Sequence, residues 1–256
     1  MEIPKIIHYC WFGRQPLPKS AIKFIDSWKK FLPDYKILEW NEDNFDVNLI
    51  RYTHSAYQAK KYAFVSDYAR YWVLYHHGGI YFDTDVEIIR PLDDVIAQGP
   101  FMGLEKDNNQ IHIAPGLGMG AVPKMSFYKE IMSVFENVEI HEPIKPIMIR
   151  ETTELFLKKG FKTEDSRQTI DGITLYPNDY FNPKDDYTGK IILTENTRAI
   201  HHYAKSWVPN YGPIRNKLTQ LYHKILKNAG LTISASIFHS GWNIMFLGCF
   251  SLYIFA

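Results

Sequence analysis

The most restrictive feature of this sequence is a helical pattern that stops abruptly, turns into a buried strand and ends on two carboxylates. From Ser55 to His77 the residues favour helix, and Gly78-Gly79 is a helix stop. Ile80-Tyr81-Phe82 then reads as a short buried strand running straight into Asp83-Thr84-Asp85. Upstream, Lys5 to Phe12 is strand-like and Tyr35 to Trp40 is a second strand. Between them, Ser20 to Leu32 sets Ile22, Ile25, Trp28 and Leu32 at helical spacing. Strand, helix, strand, helix, strand predicts an α/β fold with a doubly wound, mostly parallel sheet and right-handed connections. Such sheets bind ligands at the carboxyl ends of their strands, which is where Asp83 and Asp85 would lie.

From about Pro100 to Gly189 the signals are weaker. Met125 to Phe135 and Ile149 to Lys159 read as helices, and Gly172 to Tyr176, Lys190 to Leu193 and Ala199 to Tyr203 as strands. From Pro213 the pattern is helical again, with Ile214, Leu218, Leu221 and Ile225 on one stripe and Arg215, Lys217 and Lys224 off it. The reading is one domain over 1–212, followed by a basic amphipathic helix and a partly apolar C-terminal tail over 213–256.

Hydrophobic residues make up 46% and charged residues 22% of the chain, which excludes a disordered protein. The net charge of +1 argues against a nucleic-acid partner. That average hides an asymmetry. After Glu195 there is no Asp or Glu, while Arg198, Lys205, Arg215, Lys217, Lys224 and Lys227 follow, so the last 61 residues carry +6 and the first 195 carry −5. Charge asymmetry of this kind points to a surface partner. The two cysteines, Cys10 and Cys249, form no disulfide framework and no zinc pattern, which suits a reducing compartment. The start Met1-Glu2-Ile3-Pro4-Lys5 is not a signal peptide, so the body is expected in the cytosol.

Two carboxylates one residue apart after a buried strand can hold Mg²⁺ or Mn²⁺, which favour carboxylate oxygen and share their shell with substrate phosphates. A calcium-binding EF-hand is excluded, because its sixth position would be Ile88 instead of Gly and its twelfth Asp94 instead of Glu. Asp67 and Arg70 in Ser66-Asp67-Tyr68-Ala69-Arg70 share a helix face, as a local ion pair or as a carboxylate and guanidinium aimed at a nucleotide. His201 and His202 are adjacent on a strand, so they point to opposite faces and at most one of them reaches a given metal. Trp11 and Trp207 are either core residues or stacking surfaces for a base or sugar.

Taken in order, these pieces resemble the glycosyltransferase family with a DXD sugar-binding motif, which includes bacterial capsular and cell-wall polysaccharide transferases, yeast mannosyltransferases and the clostridial glucosylating toxins. The resemblance rests on Ile3-Pro4-Lys5-Ile6-Ile7-His8 with Trp11-Phe12-Gly13, on Ser66 to Arg70, on Gly78 to Asp85, and on Ala199-Ile200-His201-His202 with Ser206-Trp207. It implies a GT-A fold (a Rossmann-like, doubly wound sheet), a nucleotide-sugar donor, Mn²⁺ or Mg²⁺, and transfer with retention of anomeric configuration. By similarity, Trp11 would stack on the donor base, while Ser66, Asp67 and Arg70 would contact ribose, sugar and phosphate. Tyr81 would touch the nucleotide. Asp83 would face the sugar or ribose, directly or through the metal, and Asp85 would be the firmest metal ligand. His201 or His202 would complete the metal shell, with His201 favoured, and Ser206 and Trp207 would close over the diphosphate. Asp83, Asp85 and Arg70 are the expected catalytic residues.

Leu231 to Ala256 is 26 residues without an ionised side chain, about 39 Å as a helix. His239, Ser240, Gly241 and Asn243 interrupt it. It is read as a membrane anchor at the cytoplasmic face, a tail packed on the body, or a dimer contact. The expected acceptor is a glycan or lipid-linked glycan at the inner membrane face, and the donor a UDP- or GDP-sugar. The rival readings are a nucleotidyltransferase or other metal-dependent phosphoryl enzyme, and an inactive membrane-attached glycan-binding protein.

Overall fold

The structure, a computed structural model, describes residues 2–107, 110–138, 146–186 and 188–204. The elements run β1 (Ile6–Cys10), α1 (Lys19–Phe31), β2 (Lys36–Trp40), α2 (Arg51–Gln58), α3 (Tyr62–His77), β3 (Gly79–Tyr81), β4 (Val86–Ile88) and α4 (Asp93–Ile96). Next come β5 (Phe101–Asp107), β6 (Gln110–Ile113), a 3₁₀ turn (Pro115–Leu117), β7 (Met119–Ala121), α5 (Ser126–Asn137) and α6 (Met148–Lys158). Last are β8 (Gln168–Ile170), β9 (Ile173–Tyr176), α7 (Asn178–Phe181) and β10 (Ala199–His201).

The main sheet is ordered β2-β1-β3-β7-β5-β9-β8, with β6 paired to β5. β1 lies parallel to β2 and β3, and β5 parallel to β9, while β7 and β8 run the other way. Five of the seven strands on that path therefore point in one direction, and the fold is the expected α/β, mostly parallel arrangement. β4 and β10 form a separate antiparallel ribbon in which His201 faces Val86.

Strand alternation sorts the core into two layers. Ile7 and Tyr9 of β1 and Ile80 of β3 face a layer closed by Ile25 and Trp28 of α1 and Phe181 of α7. Cys10 and Tyr81 face the other layer, closed by α2, α3 and α5. Trp28 is fully buried and its indole N–H donates to Val86 O at 2.8 Å, which ties α1 to the ribbon. α3 is buried nearly all round, from Phe64 to Leu74, and is the central helix of the molecule.

Three sequence expectations change. The single helix from Ser55 to His77 is two helices, α2 and α3, parted at Ala59-Lys60-Lys61. Lys60 takes a left-handed φ of 56° and Lys61 N–H donates to Ala56 O, a Schellman-type stop built without glycine. Ile22 is exposed, because the buried stripe of α1 is Ala21, Phe24, Ile25 and Trp28. Lys190 to Leu193 is not a ladder strand, since only Ile191 makes a bridge, to Lys184, and Ile191, Ile192 and Leu193 stay exposed.

The turn from α3 into β3 needs both of its glycines. Gly78 and Gly79 have φ of 63° and 98°, and side chains there would press on Pro123 and on Ile6 O. His8 braces the same turn. Trp40 Nε1–H must donate to His8 Nδ1 at 3.0 Å, so the ring proton is on Nε2 and is given to Gly78 O at 2.9 Å. Burial lowers the His8 pKa to about 4, so the ring is neutral and structural.

Candidate functional site

Parallel strands end together, so β1, β2 and β3 deliver Trp11, Asn41 and Asp83 to one edge of the sheet. Trp11 is part-exposed and, with Arg14, Gln15, Pro16, Glu39, Asn41 and Glu42, lines an open cleft of about 410 Å³ there. Its indole N–H donates to Gln15 O at 2.6 Å, which leaves the ring face as its remaining contact surface.

Asp83 is gripped from inside the fold. Tyr81 O–H donates to Asp83 Oδ1 at 2.8 Å and Arg70 Nη1 to Asp83 Oδ2 at 3.1 Å. Arg70 Nη2 donates to Asp67 Oδ1 at 3.0 Å and its Nε to Ser66 O at 3.0 Å. The guanidinium also lies over the Tyr81 ring, 4.9 Å from its centroid. Arg70 is 3% exposed and Asp67 9%, whereas Asp83 is 28% exposed. Burial pushes the Asp67 carboxyl up to about 7, against the pull of Arg70 and with the push of Asp83. Arg70 thus holds Asp83 in place, and in this arrangement its reach toward a substrate runs through that carboxylate. The Ser66 hydroxyl is buried and donates back to Tyr62 O at 3.3 Å.

Gly116 is part of this site and no spacing in the sequence marks it. Its carbonyl accepts from Asp83 N–H at 3.2 Å. A side chain there would overlap Asp83 Oδ2 and stand 3.1 Å from Arg70 Nη1. The only hint along the chain is the glycine-rich run Pro115-Gly116-Leu117-Gly118-Met119-Gly120.

Asp85 is held from outside the main sheet. The β4–β10 ladder puts His201 Nε2 3.3 Å from Asp85 Oδ2, and Ala204 N–H donates to the same oxygen at 2.8 Å. Burial by itself would raise the Asp85 pKa, but the His201 imidazole and these hydrogen bonds bring it down to about 2. His202 points to the other face, as strand alternation requires. It pairs with Glu87 at 2.8 Å and stacks on Phe24 with ring centroids 4.4 Å apart. The structure therefore brings His201, and not His202, to Asp85. Ser206, Trp207 and the tail over 213–256 lie outside the described residues.

The donor set can be tested against a divalent cation. Neighbouring ligands on an octahedral cation with bonds of about 2.1 Å sit about 3 Å apart, and Asp85 Oδ2 and His201 Nε2 are 3.3 Å apart. Among the described residues no third His, Cys, Asp or Glu completes a cluster, and both Asp83 oxygens are already engaged. Two protein donors fit a cation whose other ligands are substrate phosphate oxygens and waters, and do not fit an all-protein cage.

The sequence profile of the glycosyltransferase sugar-binding region containing a DXD motif matches residues 18–102. An uncharacterized glycosyltransferase of Acanthamoeba polyphaga mimivirus is 26% identical over 217 residues, covering 81% of this chain and 85% of the viral one. Inositol phosphoceramide mannosyltransferase 1 of Schizosaccharomyces pombe is 26% identical over 112 residues, 40% of this chain. The match spans about a third of the length of that yeast relative, 34%. Among solved structures, PaToxG glycosyltransferase aligns with a TM-score of 0.49 at 18% identity, over 62% of this chain and 70% of that one. Residues 18–102, with the Asp83-Thr84-Asp85 they contain, are thus similar to the glycosyltransferase sugar-binding region that carries a DXD motif.

Proposed function

We infer that the chain moves a sugar from a UDP- or GDP-linked donor to a glycan or lipid-linked glycan, with Mn²⁺ or Mg²⁺ and with retention of anomeric configuration. The setting that suits this reading is capsular or other surface polysaccharide assembly at the cytoplasmic face of a membrane. The observation that carries the donor assignment is the meeting of Asp85 and His201 at the ligand-binding edge, beside an Asp83 pre-oriented by Arg70 and Tyr81.

The residues divide the work. Trp11 offers a ring face to the donor base at the end of β1. Asp83, fixed by two donors, presents its carboxylate to hydroxyls of the ribose or the transferred sugar. Asp85 and His201 are the residues that would hold the cation, which supplies positive charge to the diphosphate oxygens. As the bond from the anomeric carbon to the diphosphate breaks, negative charge grows on the leaving oxygen. Fixed positive charge at that point is usually the largest contribution to rate. The acceptor oxygen forms the new bond to the anomeric carbon and gives up its proton. Entry of that hydroxyl on the same face as the departing diphosphate accounts for retention. The yeast relative is named for transfer to an inositol phosphoceramide, which favours a lipid-linked acceptor here. The basic, acid-free sequence after Glu195 favours an anionic membrane surface.

The test is an incubation of the whole chain with UDP- and GDP-sugars, Mn²⁺ and glycan or lipid-linked acceptors. The expected result is transfer of the sugar with release of intact nucleoside diphosphate. Cleavage within the diphosphate would instead mark a phosphoryl or nucleotidyl enzyme and overturn the reading. Asp85→Asn should abolish transfer while circular dichroism still reports the native fold.

A further inference from the structure

Tyr203 stands just past β10 with φ of 54°, a left-handed conformation that residues with side chains rarely adopt. Such an outlier persists only where its surroundings over-determine it. Here they do. The reversal at Tyr203 lets Ala204 N–H reach Asp85 Oδ2 at 2.8 Å, just after His202 N–H has bonded Asp85 O at 2.9 Å. It also lays the Tyr203 ring against the His201 imidazole, with centroids 4.2 Å apart. The Tyr203 hydroxyl is anchored on two other elements. It donates to Glu105 Oε1 of β5 at 2.7 Å and accepts from Asn182 Nδ2, just after α7, at 2.5 Å. Asn182 is itself 2% exposed.

A histidine that ligates a metal ordinarily gives its second ring nitrogen to a carboxylate or a carbonyl, and this sets the ring's orientation. His201 Nδ1 is buried with no such partner among the described residues. Among the described residues, Asp85 meets the imidazole on Nε2 and the Tyr203 ring lies against it. We propose that Tyr203 is the positioning residue of the Asp85–His201 pair, a latch pinned to Glu105 and Asn182 that orients a ring whose Nδ1 has no hydrogen-bond partner among the described residues. The proposal rests on the reading of Asp85 and His201 as a cation site. It makes Glu105 and Asn182 part of the machinery although neither touches the pair.

The experiment measures Mn²⁺ binding in the presence of UDP or GDP, together with ¹⁵N–¹H spectra of the His201 ring in the metal-free chain. It compares wild type with Tyr203→Phe, Glu105→Ala and Glu105→Gln. Tyr203→Phe and Glu105→Ala are expected to weaken Mn²⁺ binding about tenfold or more and to broaden or shift the His201 ring signals, with a cooperative melting transition retained. Glu105→Gln still accepts the tyrosine O–H and should stay within about threefold of wild type. Wild-type Mn²⁺ affinity and unchanged His201 signals in both disabling variants would overturn the latch while leaving the functional reading intact. A wild type that neither binds Mn²⁺ nor transfers sugar would overturn both. If Tyr203→Phe fails to fold, the Glu105→Ala measurements decide between these outcomes.

Discussion

Asp83 and Asp85 are neighbours in sequence and opposites in construction. Asp83 is held by Tyr81, two residues away, and by Arg70, thirteen away, within one helix–turn–strand unit. Asp85 is held by His201 and by Ala204, the latter 119 residues on, through a ribbon that only the folded chain creates. The first carboxylate has its charge balanced by a buried guanidinium and is built to stay still. The second keeps a nitrogen donor beside one of its oxygens, which is the arrangement a shared cation needs. One short motif thus carries one carboxylate held within its own helix–turn–strand unit and one held by the β4–β10 ribbon.

The largest expected effect breaks the hold on Asp83. Arg70→Met leaves Asp67 and Asp83 facing each other without their common cation, and should cost about 3–5 kcal/mol of stability in a denaturant titration. Asp85→Asn should lose clearly less stability, and equal losses would mean that the two carboxylates are not held differently. Next comes function. His201→Gln should lower turnover on the order of 100-fold, whereas His202→Gln, on the Glu87 face, should stay within a few-fold. Equal effects of the two histidine variants would sink the assignment of His201 to Asp85.

Gly116→Ala sharpens the comparison from the other side. The added methyl meets Asp83 Oδ2, so it should destabilise by about 1–3 kcal/mol and raise the KM for the donor. Mn²⁺ binding at Asp85 should survive that change, as a titration would show. The smallest effect is a pH slope. The folded state holds the Asp67 proton up to about 7, above the usual 3.8. Stability linked to that proton is therefore full below about pH 4 and is lost as pH rises through about 7. Asp67→Asn removes the titration, so its melting temperature should gain on wild type between pH 4 and 7. A constant difference across that window would show that Asp67 is ionised throughout.

Much of the first hundred residues is legible along the chain. The strand–helix alternation, the Gly78-Gly79 stop and the carboxylates after Phe82 each depend on near neighbours, and the structure places them as read. The break at Lys60 is not legible, because a lysine in a left-handed stop carries no marker where glycine would. Nor are β6, β7 and β8, which are too short to show a period and exist because partners lie beside them. The exposed run Ile191 to Leu193 misleads for the converse reason, since its β-branched residues suit a strand that finds no ladder.

At the site the same division holds. Asp67 and Arg70 could be nominated from helix spacing and Asp83 from its place after a buried strand, whereas Ser66 and Tyr81 come only with the family resemblance. Alternation on a strand dictated that His201 and His202 must part, but not which of them meets Asp85. The pairing of β10 with β4 chooses, by burying Ala199 and Ile200 against the fold and setting the register. Gly116, Glu105, Asn182 and Tyr203 carry no local signature, since their roles consist of distances to residues far along the chain. Short-range periodicity is written into adjacent side chains, whereas which distant atoms share a hydrogen bond depends on how the whole chain buries its apolar surface.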